Sequence, residues 1–118
     1  MVTIKSYTDI SQSKVLAKIL PIESVDMYYL YGDEADMQFG SGCYEEIEYW
    51  SKGKPRPVDI PCWSLAALLE YLAANFNADI KYLDNYWELD CRVIASYNKN
   101  LVDACVAVIE KLHEQKFL

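Results

Sequence analysis

The sequence predicts a single α+β domain, residues 1–118, with two layers: a mainly antiparallel sheet and helices on one of its faces. Two observations predict this class. Three segments repeat apolar residues at the helical period, and between these segments the period changes to two, as in strands. The elements therefore follow in the order α-β-β-α-β-β-α. Hairpins separated by helices are typical of antiparallel sheets with a helical layer.

The first helix is predicted in TDISQSKVLAKILP. Thr8 or Asp9 can cap its start, and Pro21 ends it. Its apolar residues share one face, which should pack on the sheet. These residues are Val15, Leu16, Ile19 and Leu20.

The second helix is predicted in DIPCWSLAALLEYLAANF, and its start can be placed in two ways. If Asp59 caps the helix, Cys62 lies in the first turn, near unpaired N–H groups. If Ser64 caps it, Trp63 can fold over Leu68 as a hydrophobic staple, and Cys62 lies outside the helix. We favour Ser64, because that choice explains Trp63 and Leu68 together. The apolar stripe consists of Leu65, Leu68, Leu69, Leu72 and Phe76.

The third helix is predicted from about Asn100 to Lys116, with Asn98 or Asn100 as its cap. Its buried face is expected to hold Leu101, Cys105, Val108, Ile109 and Leu112. The opposite face carries Asp103, Glu110 and Glu114. The only histidine, His113, falls in the last turn, where a cation favours the negative end of the helix dipole.

Period-two alternation is clearest in YWELDCRVIAS, which predicts one half-buried strand. Its inner residues are expected to be Trp87, Leu89, Cys91, Val93 and Ala95. Asp84-Asn85 separates this strand from DIKYL and tolerates the positive φ angles of a tight hairpin turn. In the first half, SVDMYYLYG and CYEEIEYW are predicted strands, and DEADMQFGSG between them is predicted to be a loop.

The formal net charge of −7 disfavours direct binding to a nucleic-acid backbone. The basic cluster Lys52, Lys54 and Arg56 lies in a turn-like segment, where we expect solvated side chains. No stretch approaches the roughly 20 apolar residues of a membrane span, and the first residues do not resemble a signal peptide. We therefore expect a cytoplasmic protein that does not associate with membranes.

The cysteines Cys43, Cys62, Cys91 and Cys105 do not have the spacing of a zinc site. Without a secretory signal, we expect free and buried thiols instead of disulfides. The acidic segment around Asp33 does not match a calcium-binding loop either. We expect no metal and no cofactor.

Cys62 and His113 raise the alternative of a cysteine-dependent hydrolase, since a thiol at a helix start next to an imidazole can be activated. Papain-like and NlpC/P60-type peptidases place a cysteine in this way, but their histidine stands on a strand. His113 is expected on a helix, and no glycine-rich oxyanion loop precedes Cys62. We therefore expect no enzymatic activity, and the hydrolase remains an alternative.

Tyrosine is abundant, with 10 residues, and many of them fall on predicted strands. Successive tyrosines in VDMYYLY should point to opposite faces, so at least one of Tyr28 and Tyr29 is expected on the less buried face. Exposed tyrosines favour protein interfaces, so we expect a small interaction or accessory protein that binds another protein or itself. The expected binding face is formed by Tyr28, Tyr29, Tyr31, Asp33, Glu34 and Asp36. A second alternative is an acidic decoy that mimics nucleic acid, which would need a continuous stripe of carboxylates.

Three stretches carry a resemblance: YTDISQSKVLAKILP, PCWSLAALLEYL and LVDACVAVIEKLHE. With them the chain resembles a group of small proteins of similar length in gut-bacterial genomes, often near prophages or other mobile elements. The resemblance covers essentially the whole chain and is weakest in residues 33–56. It implies a bacterial or phage context inside the cell. The group has no assigned activity, so the resemblance implies no functional residues.

Overall fold

The computed structural model of the chain describes residues 5–31, 44–49 and 59–118, and it has the α+β class that the sequence predicts. In chain order its helices and strands are α1 (Ile10–Leu16), β1 (Met27–Tyr31), β2 (Tyr44–Tyr49), β3 (Ile60–Cys62), α2 (Leu65–Phe76), β4 (Asp79–Leu83), β5 (Tyr86–Asp90), β6 (Ala95–Asn98) and α3 (Leu101–Glu114). A short 3-10 helix, Ile22–Ser24, precedes β1. The loop prediction for residues 33–42 lies outside the described residues.

The described strands form two three-stranded antiparallel sheets, where the sequence predicted one sheet. The first sheet has the order β2-β1-β3, and the second has the order β4-β5-β6. Strand β3 was missed because three residues are too short to show alternation. Its Pro61 donates no ladder hydrogen bond, and it lies on an edge strand, where proline is tolerated.

The main core lies between the helices and the second sheet. Helix α3 packs on β5, β6, α2 and α1, so its buried face is wider than the predicted stripe. The predicted positions are buried, and so are Val102, Ala104 and Val106. Helix α1 is also held to α3 by polar contacts, because the Asp103 carboxylate accepts hydrogen bonds from Lys5 Nζ at 2.8 Å and from Gln12 Nε2 at 2.7 Å.

The start of α1 is the predicted one, but its end is earlier. Asp9 caps the helix in a reciprocal capping box with Gln12. After Leu16, two backbone hydrogen bonds span three residues instead of four. They run from the Lys18 N–H to the Val15 carbonyl at 3.1 Å and from the Ile19 N–H to the Leu16 carbonyl at 3.0 Å. Leu16 and Leu20 are buried, but Val15, which the stripe had placed in the core, is exposed.

The single strand predicted from Tyr86 to Ser96 is interrupted by a tight turn at residues 91–94. Arg92 has a φ of 70°, and the Cys91 N–H donates to the Ile94 carbonyl at 2.8 Å. The turn reverses the alternation after Cys91. Val93, expected inside, is 59% exposed, whereas Ile94, expected outside, is 7% exposed. The alternating sequence does not indicate that Arg92 adopts a left-handed backbone conformation, so it does not predict the turn.

The hairpin turn between β4 and β5 is confirmed. Asp84 and Asn85 have φ angles of 53° and 67°, as a type I′ turn requires. The turn sets the register in which Leu83 lies opposite Tyr86. Among the described helices the longest, α3, has 14 residues, and none is both long and apolar enough to cross a membrane.

Because Ile94 is buried and Val93 is exposed, replacing each with alanine should lower the free energy of unfolding by different amounts. Ile94→Ala should lower the free energy of unfolding by about 2–5 kcal/mol, because it opens a cavity in the main core. Val93→Ala should change it by about 0.5 kcal/mol or less, because the side chain is exposed. Urea unfolding of both variants measures the difference, and a larger loss from Val93→Ala would contradict the turn.

Candidate functional site

Cys62 ends strand β3 and has no exposed surface. Its Sγ donates to the Thr8 carbonyl at 3.5 Å and accepts from Thr8 Oγ1 at 3.6 Å. Thr8 is fully buried as well, and Tyr29 donates its hydroxyl hydrogen to the same Thr8 carbonyl at 2.7 Å. The thiol is therefore enclosed by a buried hydrogen-bonded network.

The start of α2 confirms that Cys62 lies outside the helix. Ser64 is the cap, and its hydroxyl oxygen accepts from the Ala67 N–H at 3.1 Å. Trp63 precedes it, and both Trp63 and Leu68 are fully buried in the main core, as the staple requires. Asp26 adds a partner that the sequence did not indicate. Its carboxylate accepts hydrogen bonds from the Ser64 N–H, at 2.9 Å, and from the Ser64 hydroxyl.

The surroundings of Cys62 disfavour its thiolate form. Burial raises the pKa of the thiol, and the negative charge of Asp26 acts in the same direction. Hydrogen bonds with Thr8, Ser13 and Tyr29 act to lower the pKa but do not outweigh these effects. This shift is opposite in direction to the one that activates a cysteine nucleophile.

His113 lies in the last turn of α3, as predicted, and its side chain is exposed. Its Nδ1 is 3.2 Å from the carbonyl oxygen of Leu118. In the described part of the chain no hydrogen bond links this ring to Cys62, whose partners come from the segment around Thr8 and from β1. The structure thus gives the two residues of the hydrolase alternative separate environments.

The expectation that Tyr28 or Tyr29 is exposed was wrong. Tyr28 is 6% exposed and Tyr29 is 7% exposed, although they point to opposite faces. Strand β1 is the central strand of its sheet, with neighbours on both sides. The Tyr29 ring also packs edge-on against Tyr7, with 6.4 Å between ring centroids. Burial raises the pKa of the Tyr29 hydroxyl above its ordinary range.

The other members of the predicted binding face cannot be placed in the same way. The side chain of Tyr31 and the residues Asp33, Glu34 and Asp36 lie outside the described residues. The acidic part of that face stays a prediction.

Large exposed apolar side chains gather instead on the second sheet. We call Ile80, Tyr82, Leu83, Tyr86 and Tyr97 the exposed sheet surface. Leu83, at 71%, and Tyr97, at 66%, are its most exposed members. Tyr82 and Tyr86 were among the strand aromatics of the sequence, but no pattern showed that they would remain uncovered.

Both faces of the second sheet contribute to the exposed sheet surface. The register puts Ile80 and Tyr82 on the same face as the buried Leu89. Helix α3 packs on β5 and β6, so these two side chains of β4 extend past the helix. The Tyr82 ring lies 4.8 Å from that of Trp87, between centroids. Leu83, Tyr86 and Tyr97 occupy the opposite, outer face.

An open groove of about 380 Å³ lies between the 3-10 helix and α2. Glu23, Asp26 and Glu70 line it together with Tyr71, whose pKa is raised by burial. Asp26 already accepts two hydrogen bonds from Ser64. Three carboxylates disfavour an anionic ligand here. In residues 5–31, 44–49 and 59–118, no group of His, Cys, Asp and Glu is arranged to hold a metal ion.

Cys91 and Cys105 are free and buried, like Cys62, as expected from the sequence. Burial raises the pKa of Cys91 to about 11 and that of Cys105 to about 12. Cys43 lies outside the described residues. These thiols pack as small apolar side chains.

Comparisons of the chain with family models, with curated proteins and with solved structures gave no match.

Because Cys62 is buried, we expect its thiol to react slowly with alkylating reagents. In the native protein at pH 7, an alkylating reagent should label Cys62 far more slowly than in the denatured chain, with a pH midpoint above the usual 8.5 or so of a free cysteine. Mass spectrometry reads out each cysteine. A cysteine introduced at the exposed Ser11 is the accessible control. Rapid labelling of native Cys62, with a midpoint below that value, would restore the hydrolase alternative.

Proposed function

We propose that the chain is a non-enzymatic interaction module that binds a protein partner through the exposed sheet surface. The observation that carries this proposal is the concentration of Tyr82, Leu83, Tyr86 and Tyr97 on one sheet, while Tyr28 and Tyr29 of β1 are buried. This assignment moves the binding face from the first hairpin to the second sheet. No cofactor takes part in the proposed function.

The chemistry of this surface fits a protein better than a nucleic acid. Tyrosine is enriched at protein interfaces, where its rigid ring gives apolar contact area and its hydroxyl a hydrogen bond. Leu83, Tyr86 and Tyr97 lie on the same outer face, and exposed apolar side chains that share a face favour an interaction site. The net charge of −7 opposes a polyanionic ligand.

The two alternatives have less support. On the outer face of the second sheet, Asp79, Glu88 and Asp90 share the surface with Leu83 and the tyrosines, so their carboxylates form no continuous stripe of the kind a decoy needs. The buried position and raised pKa of Cys62 count against the hydrolase.

We further propose a cytoplasmic location. The described cysteines are free, which suits a reducing compartment. The bacterial or phage context is part of the same proposal and rests on the resemblance of three sequence stretches.

Site-specific photocrosslinking tests the proposed function. A photoreactive phenylalanine analogue replaces Tyr82 or Tyr97 in the chain expressed in bacterial cells, and illumination traps whatever contacts those positions. The expected result is discrete adducts that resist nuclease and are destroyed by protease. Lys18 and Glu114, exposed residues outside the second sheet, are the matched control positions.

Two results would contradict the proposal. Adducts of equal yield at the control positions would show that the exposed sheet surface has no special role. Adducts destroyed by nuclease would replace the protein partner with a nucleic acid.

A further inference from the structure

Strand β4 is an open edge of the second sheet. It pairs with β5 on one side, and none of the described strands pairs with its other side. All five of its side chains are exposed. Natural sheet edges are usually protected by charge, proline, bulges or a covering element, because an open edge templates pairing with another strand. On β4 the features of this kind are the charged side chains of Asp79 and Lys81.

The hairpin determines which backbone groups of β4 point outward. A type I′ turn is closed by a hydrogen bond between its flanking residues, here Leu83 and Tyr86. Hydrogen-bonded and non-hydrogen-bonded pairs alternate along an antiparallel ladder. Residues 79, 81 and 83 therefore direct their N–H and C=O groups to β5, and Ile80 and Tyr82 direct theirs to the open edge.

Charge distinguishes the registers in which a second β4 could pair antiparallel to the first. With Lys81 on the two-fold axis, two lysines would lie directly opposite, which is destabilising. With Ile80 on the axis, Lys81 of each copy lies opposite Asp79 of the other. This register also relieves a local repulsion, because Asp79 lies opposite Asp90 within one chain.

We propose that a second copy of this chain binds along the edge of β4, with Ile80 of each copy on the two-fold axis. The inference rests on the proposed function and names its partner. The outward-facing groups of Ile80 pair across the axis, and those of Tyr82 pair with Ala78, which extends β4 by one residue on binding, giving about six hydrogen bonds in all. The two sheets become one six-stranded sheet. Lys81, which protects the edge against pairing centred on itself, becomes an attractive contact in this register.

The same register joins the apolar groups on the inner face. Ile80 lies beside Ile80 of the other copy, and Tyr82 lies opposite Ala78 of the other copy. Because Ile80 and Tyr82 of each chain extend past α3, pairing removes part of this surface from water. A short edge forms a small interface, so the dimer should be weak and depend on concentration.

A charge-swap cycle tests this register. Sedimentation measures self-association of the whole chain across roughly 1 µM to 1 mM, the range suited to a small interface. Asp79→Lys alone and Lys81→Asp alone should each weaken dimerisation about tenfold, because each turns two attractive cross-strand pairs into repulsive ones. The double variant should restore dimerisation to near the original strength. Glu114→Lys, at an exposed position outside the second sheet, is the matched charge control and should have a smaller effect.

Disulfide trapping tests the same register independently. In a background with Cys43→Ser, a cysteine at position 80 should crosslink two copies faster than one at position 81 or 82, because Ile80 alone lies opposite itself. Thermal unfolding of each variant confirms that it is folded. Faster crosslinking at position 81 or 82 would overturn the proposed register.

The outcomes separate this inference from the proposed function. A chain that stays monomeric at all concentrations, yet gives site-specific protein adducts at Tyr82, overturns the second copy and leaves the interaction module. Dimerisation of unchanged strength in both single variants, Asp79→Lys and Lys81→Asp, would also overturn the inference. A monomer without such adducts overturns both proposals.

Discussion

The segment Cys62–Ser64 is the constraint on which the rest of the structure depends. Because side chains alternate along extended backbone, Cys62 enters the small core of the first sheet, and Trp63 enters the main core of the second. Ser64 then begins α2. Backbone hydrogen bonds tie the segment to the start of the chain, from the Thr8 N–H to the Trp63 carbonyl at 3.0 Å and from the Leu65 N–H to the Ser6 carbonyl at 2.8 Å. Three consecutive residues therefore join both cores, one helix and the start of the described chain.

This junction explains why the two sheets differ. The first sheet lies beside the junction, where Tyr29 and Cys62 converge on the Thr8 carbonyl, and its Tyr28 and Tyr29 are buried. The second sheet is covered by α3 only over β5 and β6, so β4 and the hairpin end extend into solvent. Polar groups in the first region are satisfied internally. The exposed sheet surface lies in the second region.

The helices and the β4–β5 hairpin were predictable because their signals are local. The stripe of α3, the cap at Ser64 and the Asp84-Asn85 turn all depend on residues within a few positions of one another. The two-sheet arrangement was not predictable, because β3 is too short for a period and is recognised only by its pairing with β1. The turn around Arg92 was not predicted for a related reason. Nothing in the alternating run indicates that buried and exposed positions change places after Cys91.

The site was less predictable than the fold. Tyr28 and Tyr29 have the alternation of a half-exposed strand, but both are buried on the central strand of the first sheet. The exposure of Tyr82 depends on how far α3 extends over the sheet, which is a property of packing geometry and not of spacing. Asp26 could not be linked to Ser64 by any pattern, because 38 positions separate them.

Native-state hydrogen exchange at the Thr8 and Leu65 amides tests the central role of the junction most directly. Both amides donate across the junction. If the junction joins the two cores, these amides should exchange only through global unfolding, with the same free energy and denaturant dependence as the amide of Val108 in α3. Exchange of Thr8 and Leu65 at a much lower free energy, with little dependence on denaturant, would show that the junction opens on its own and would contradict the account.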